Sequence, residues 1–237
     1  MARAGRRIVS KARPNPAGPQ VLEADGIRIA FGGREVLASI YLRVQTGQIV
    51  GLLGRNGSGK SVLLQTIFGA RAVADASVRV NGRRVVPAYR EPGLLNYLPQ
   101  EPLLPPSLSL AQAARLLKVN LEEATASFPA LRQYFDGRLG ELSGGSGRLA
   151  QALLMLHQPT AFSLFDEPFS GVMPVHVETL AEEMQRAKPR KGLLITDHRY
   201  AEVLPICDVV YLLHQGRLLQ LAGDVRGQLR DYGYLAS

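Results

Sequence analysis

Residues 54–61 read Gly54-Arg55-Asn56-Gly57-Ser58-Gly59-Lys60-Ser61, and they restrict the fold more than any other stretch of the chain. The octapeptide fits G-x-x-x-x-G-K-[ST], a phosphate-binding loop. Its glycines let the backbone curl so that successive N–H groups face one anion. Lys60 supplies a compact positive charge, and Ser61 a hydroxyl suited to Mg²⁺. Such a loop works only between a buried strand and a helix whose positive end faces the phosphates. Both flanks comply. Gln48 to Leu53 is a short apolar run of the buried-strand kind, and Val62, Leu63, Ile67 and Phe68 suit one face of a helix ending at Gly69. The implied ligand is a nucleoside triphosphate with Mg²⁺.

The rest of the pattern predicts an α/β fold with a P-loop NTPase core, a mostly parallel sheet flanked by helices. Val21 to Val44 reads as paired strands around a Gly32-Gly33 turn, an N-terminal antiparallel β subdomain. Asn81-Gly82 suits a hairpin turn. Leu94 to Pro99 reads as a strand ending at Gln100, and further strands are expected at Ala161–Phe165, Gly192–Thr196 and Val209–His214, with a last pair turning at Gln215-Gly216. Between lies a Pro-rich stretch and short helices through Leu110–Leu117, Leu121–Ser127 and Leu131–Phe135. We therefore expect a disordered basic leader over 1–20 and one domain over 21–237, with a helical subdomain at about 101–157.

Charge and cysteine content exclude several classes. Five of the eight net positive charges fall in the first twenty residues, which hold no acidic residue. The body is only mildly basic, so no nucleic-acid partner is expected. The N-terminus has no apolar core of the signal-peptide kind, and no apolar run is long enough to span a bilayer. The single cysteine, Cys207, excludes an internal disulfide and suits a reducing cytoplasm, where it reads as an inert buried thiol.

Two further motifs carry chemistry. An apolar strand delivers Asp166 and Glu167 at its end, where α/β sheets place ligands. Adjacent strand residues point to opposite sides, so the two carboxylates can divide roles. Asp166 is placed to hold Mg²⁺, and Glu167 to orient or deprotonate attacking water. Leu142-Ser143-Gly144-Gly145-Ser146 precedes a helical stretch at Arg148–His157. Ser143 is a good N-cap, and Gly144 and Gly145 expose backbone N–H groups, which makes a second anion cradle. Two cradles in one chain predict a head-to-tail homodimer in which each copy completes the other's site.

With these motifs in order, the chain resembles the ATP-binding subunit of an ABC transporter over about Val21 to Leu221. Gly54–Ser61 resembles the Walker A loop, Leu142–Ser146 the LSGGQ signature, and Asp166-Glu167 the end of Walker B. The resemblance makes Gln100 the Q-loop glutamine, a nucleotide and Mg²⁺ contact. It makes His198, in Thr196-Asp197-His198, the switch histidine on the γ-phosphate, and places Phe31 where an aromatic residue stacks on adenine. Phe31 can equally be read as core. His157, His176 and His214 show no ligand spacing. Asp166 to Val172, Leu194 to His198 and Tyr232 to Leu235 are similar to the lipopolysaccharide-export and branched-chain amino-acid branch.

The resemblance implies an ATPase, with Glu167, His198 and Lys60 catalytic, acting on the cytoplasmic membrane face through separate transmembrane subunits. Three departures stand out. Ser146 and Gly147 replace the signature's last residue and the basic residue after it. Met173 stands in place of an aspartate that links the two sites. The helical segment between Gln100 and Leu142 is short. These departures motivate the alternative of a nucleotide-gated regulatory module with weak hydrolysis. A soluble ABC protein acting on ribosomes or DNA would need paired cassettes or large insertions.

Overall fold

In a computed structural model, residues 18–73 and 75–235 are described, and most of the expected basic leader lies outside them. The chain opens with β1 (Val21–Phe31) and β2 (Arg34–Gln45), an antiparallel pair turning at Gly32 and Gly33. Next come β3 (Ile49–Leu53), α1 (Lys60–Phe68), β4 (Ser77–Val80), β5 (Arg83–Arg84) and β6 (Leu95–Leu98). The helical region holds α2 (Leu110–Leu117), α3 (Leu121–Ala124) and α4 (Gly144–His157). The chain then runs β7 (Phe162–Asp166), α5 (Pro174–Ala187), β8 (Gly192–Thr196), α6 (Tyr200–Val203), β9 (Val209–His214), β10 (Arg217–Leu221) and α7 (Val225–Asp231).

Two sheets form. The antiparallel one has the order β2-β1-β4-β5, and the larger one β10-β9-β3-β8-β7-β6. Within the larger sheet β9, β3, β8, β7 and β6 are parallel, and only β10 runs antiparallel, hairpinned onto β9. Its central strands are apolar at nearly every position because both faces are covered. Val50, Leu52, Leu164 and Leu194 join α1 and the antiparallel sheet in one core. Ile49, Leu53, Phe165, Leu193 and Ile195 face the other way, into a second core shared with α2, α4 and α5. Gly51 leaves room on β3 for Cys207, since a β-carbon there would sit 2.8 Å from its sulfur. Burial, with Asp208 adding to it, pushes that thiol up to about 12, which disfavours the reactive thiolate.

The helical region departs from expectation in detail. Helix α2 carries the full capping box, Ser109 with Gln112. The stretch expected to be helical through Ser127 stops at Ala124, where the Thr125 hydroxyl turns back to the Leu121 carbonyl. The expected helix at Leu131–Phe135 is instead the end of a 3₁₀ segment, Pro129–Tyr134, entered at a proline that disfavours helical backbone in Phe128. Helix α4 starts at Gly144 rather than Arg148, capped by Ser143. Strand β7 begins at Phe162 and takes in Asp166, which pairs with Thr196.

Candidate nucleotide site

The octapeptide links β3 to α1, as a phosphate loop requires. Gly54 (φ 157°), Gly57 (φ 76°) and Gly59 (φ 106°) occupy backbone conformations that L side chains avoid. At two of them space also demands glycine. A β-carbon on Gly54 would lie 2.8 Å from the Leu213 carbonyl oxygen, and one on Gly59 2.9 Å from Val36. The loop is thus wedged between β9 and β2. Arg55, Asn56 and Gly57 are exposed at its crown, and the Arg55 guanidinium lies 5.6 Å from the Tyr234 ring and donates to the Gly233 carbonyl.

Lys60 is buried and donates from Nζ to the carbonyls of Gly54 (2.8 Å) and Arg55 (3.2 Å). Burial lowers its pKa, and the carboxylates Glu167, Asp166 and Asp197 oppose the shift. The Ser58 hydroxyl oxygen is buried with no hydrogen-bond partner among the described residues. A buried hydroxyl without a partner is costly unless something polar takes the place beside it. A donor-lined loop with an orphaned hydroxyl and a buried ammonium fits a bound polyphosphate.

Behind the loop, Asp166 is 2% exposed and accepts from the Tyr97 hydroxyl (3.1 Å). Burial raises its pKa, while hydrogen bonds from Ser61 and Tyr97 and the charge of Lys60 pull the other way. The sequence-predicted Ser61–Asp166 pair is therefore brought together. Tyr97 is pushed above its ordinary range by burial and by that carboxylate, so it remains a hydroxyl donor.

The division of roles between Asp166 and Glu167 does not come from strand alternation. Strand β7 ends at Asp166, and Glu167 turns into the left-handed region at φ 56°. Its N–H donates to the Thr196 carbonyl (2.6 Å) as the chain turns. That turn aims the carboxylate at the loops. Gln100 donates to Glu167 Oε2 at 3.1 Å, and His198 Nδ1 lies 3.7 Å from the same oxygen. Gln100 thus meets the carboxylate of Glu167 rather than Asp166. Asp197 is fully buried, accepts from the backbone N–H groups of Phe169 and Arg199 (3.0 Å each), and pins the switch loop to the turn after β7.

The sequence reading missed Arg148. Its guanidinium, 7% exposed, donates to the carbonyls of Pro99 (2.6 Å), Glu167 (3.1 Å), Gln100 (3.5 Å) and Asp166. One side chain on the signature helix therefore ties together both loops that carry Gln100 and Glu167. Burial lowers its pKa, and the charge of Asp166 leads the opposing effects. A signal was present: Arg148 is the one Asp, Glu, Lys or Arg between Gly144 and His157.

The signature tip lies apart from the phosphate loop in the contacts of this single chain. Ser143 Oγ caps α4 by accepting from the Ser146 N–H at 3.3 Å, and Ser146 takes a further bond from the Ser143 hydroxyl. Gly145 packs on the backbone of Gly171, whose carbonyl would lie 2.0 Å from an added β-carbon. Met173, at the start of α5, is 53% exposed and makes no side-chain cap. Phe31 is 46% exposed, so it is not core, and the Arg71 guanidinium lies 5.3 Å from its ring centroid. His157, His176 and His214 sit in packing contacts with Glu183, Phe128 and Tyr232.

Comparison with known proteins identifies the family. The ABC transporter family model matches residues 37–170. A probable ABC transporter ATP-binding protein of Azorhizobium caulinodans is 32% identical over 217 residues, 86% of this chain and 77% of the relative. The lipopolysaccharide export system ATP-binding protein LptB of Escherichia coli K12 is 30% identical over 213 residues, 84% of this chain and 88% of LptB. A solved ATP-binding subunit of an ABC transporter superposes with a TM-score of 0.73 at 24% identity, covering 92% of this chain and 95% of the other, which attests the fold. This chain belongs to the ATP-binding proteins of the ABC transporter family.

Proposed function

We propose that this protein hydrolyses the ATP it binds, as one half of a head-to-tail homodimer that drives separate transmembrane subunits at the cytoplasmic face. The observation that carries the reading is the placement of Glu167. A single left-handed residue presents its carboxylate between the Gln100 amide and His198, beside the loop of Lys60. Among the described residues no helix is long and apolar enough to cross a membrane, which suits a subunit that acts through partners.

The chemistry follows from these side chains. Gly54 to Gly59 and the N-terminus of α1 present donors to the phosphates. Lys60 exchanges its two carbonyl acceptors for phosphate oxygens, and the Ser58 hydroxyl gains a partner. Ser61 and Asp166 are the residues that would hold Mg²⁺, with Gln100 at the edge of the set. When bound, Mg²⁺ neutralises charge on the transferred phosphoryl group. Glu167 orients water and takes its proton, and His198 stabilises charge on the γ-phosphate. Phe31, exposed and aromatic, is the platform for adenine.

The reading calls on a partner copy because Ser143, Gly144 and Gly145 sit at a helix start packed against the Gly171 backbone, with no hydrogen bond to the phosphate loop among the described residues. Glu167→Gln keeps the shape and hydrogen-bonding capacity while removing the base. It should abolish turnover, retain ATP binding and trap an ATP-bound dimer, seen by scattering in solution. Undiminished phosphate release, or only single copies with ATP and Mg²⁺, would defeat the proposal.

A specific observation favours a second reading, a nucleotide-gated regulatory module. Met173 offers no charged or capping group where α5 begins. Brisk ATP turnover by the unmodified protein would reject that module.

A further inference from the structure

We infer that Tyr97 is a positioning residue for magnesium: its hydroxyl, backed by Gln65, fixes the carboxylate of Asp166 in the orientation that receives the ion. The inference rests on the reading of Ser61 and Asp166 as the residues that would hold Mg²⁺.

Tyr97 lies on β6, whose parallel pairing sets it beside Leu164 on β7. Strand residues two apart share a face, so Tyr97, Leu164 and Asp166 all point toward α1. Tyr97 and Leu164 pack in one core with Leu63, Leu64 and Ile67 of that helix. The Tyr97 ring is 7% exposed and rests on Phe68, the last residue of α1, with ring centroids 5.5 Å apart. From this seat the hydroxyl donates to Asp166 Oδ2 at 3.1 Å. The backbone is anchored as well, because the Pro99 carbonyl just past β6 accepts from Arg148 at 2.6 Å.

Gln65 completes the arrangement. Its side chain hydrogen-bonds to the Tyr97 hydroxyl. Gln65 stands four residues after Ser61 on α1, so the two share one side of the helix. The phosphate helix thus approaches Asp166 twice, directly through Ser61 and indirectly through Gln65 and Tyr97.

The chemistry of the donor set suits the ion. A hydroxyl and a carboxylate are hard oxygen ligands, and Mg²⁺ demands near-octahedral placement of such groups. Asp166 is 2% exposed, so little water is at hand to orient it. A phenol on Oδ2 commits that oxygen and resists rotation of the carboxylate. The hydroxyl's partners, Asp166 and Gln65, both lie outside Gly54 to Ser61. Removing it should therefore spare the grip on phosphate and act on the metal alone, which a mere packing role would not do.

The test is titration calorimetry of the whole chain with ATP, in excess magnesium and in chelator. The ratio of the two affinities is the magnesium gain. Wild type should show a gain, and Asp166→Asn should lose most of it. Tyr97→Phe keeps the ring and deletes the hydroxyl. It should cut the gain about tenfold, the lower end for groups that orient a metal ligand, with affinity in chelator unchanged. Gln65→Met should cut the gain less, and should add nothing to Tyr97→Phe, since it acts through the same hydroxyl. A Tyr97→Phe protein with an undiminished gain, or with equal losses in magnesium and in chelator, would overturn the inference. A further loss on adding Gln65→Met to Tyr97→Phe would remove Gln65 from it. Where thermal melting shows Tyr97→Phe to be unfolded, Gln65→Met decides alone, and an undiminished gain there overturns the inference. If wild type shows no gain, or Asp166→Asn keeps it, the metal-site reading itself fails and the role of Tyr97 falls with it.

Discussion

On the phosphate-loop side, Lys60, Ser61, Asp166, Glu167 and Gln100 are linked through hydrogen bonds and charge contacts. The signature side offers a serine cap, two glycines, and then Ser146, Gly147 and Met173 where the resemblance implies polar or charged groups. The same helix shows the contrast within itself. The start of α4 is held by two serine bonds near the surface, whereas deeper in, Arg148 reaches four carbonyls, and Lys191, just before β8, reaches three more at the helix's end. The groups proposed to act within one copy lie together, and those proposed to act on a second copy are reduced. If the two sides are independent, chemistry in each site survives and only communication between sites suffers.

The largest test of that contrast is at Glu167. Glu167→Gln should cut turnover by about 10²- to 10⁴-fold, the usual contribution of a general base. Nucleotide affinity should change little, since no phosphate contact is assigned to this side chain. Stopped-flow phosphate release beside equilibrium binding reads both. A parallel loss of affinity would mean that Glu167 shapes the binding site, and the division between the sides would blur.

Arg148 joins the two sides, so its removal should damage both. Arg148→Met leaves buried carbonyls on the Gln100 and Glu167 loops without a donor. Each such group costs about 1–3 kcal/mol when unsatisfied, and partial relaxation puts the net loss at about 3 kcal/mol. Denaturant unfolding measures the loss, and turnover should fall beyond what reduced stability explains. A stable but inactive Arg148→Met would show that the guanidinium positions Glu167 without supporting the fold.

Much of this was legible because it is local. Gly54–Ser61 lies within eight residues, and β8 and β9 are apolar runs bounded by polar turns, so they fall where the sequence places them. The turn at Gln215-Gly216 and the stop at Gly69 follow from glycine chemistry alone. What was not legible depends on contacts distant in sequence. Strand alternation could not reveal that Glu167 turns left-handed, because that turn is fixed by Thr196 on the neighbouring strand. Arg148 reads as an ordinary helix cation until Pro99 and Asp166 are folded against it. Arg71 lies in a loop without periodicity, and its meeting with Phe31 is visible only in the fold. The short helices ended early for a milder reason: Thr125 and Pro129 outweighed the apolar pattern around them.

Lys191 tests whether the buried end of the signature helix is as firmly set as it looks. Its ammonium, 4% exposed, donates to the carbonyls of Leu156 (2.9 Å), Gln158 (2.8 Å) and Met155 (3.3 Å), where α4 ends. Burial pulls its pKa down to about 7, with the charge of Arg190 adding to the shift. Lys191→Met should cost about 2 kcal/mol through the lost donors. The pH dependence has a fixed sign. Between about pH 7 and the ordinary value of 10.5, the unfolded chain holds more protons than the folded one. Wild-type stability should therefore rise with pH across that window, and the gain is absent as pH falls to 7. The cost of Lys191→Met should be larger at pH 9.5 than at pH 6.5. A cost that does not vary with pH would mean that Lys191 stays charged throughout.

The smallest expected effect bears most directly on the reduced side. Met173 is the residue before α5, with extended backbone (φ −60°, ψ 139°) and no capping side chain. An aspartate there can accept from the first-turn N–H groups and lies at the positive end of the helix. Met173→Asp should therefore stabilise the fold by about 1 kcal/mol, a gain that denaturant unfolding resolves. Functionally it restores a charged group to the loop that follows Glu167. If the missing aspartate limits communication between sites, turnover of Met173→Asp should rise and become steeper in ATP concentration. If stability rises while turnover and its ATP dependence stay fixed, the exposed methionine is a neutral replacement. The signature side would then be reduced in appearance only, and the contrast between the two halves would carry no functional meaning.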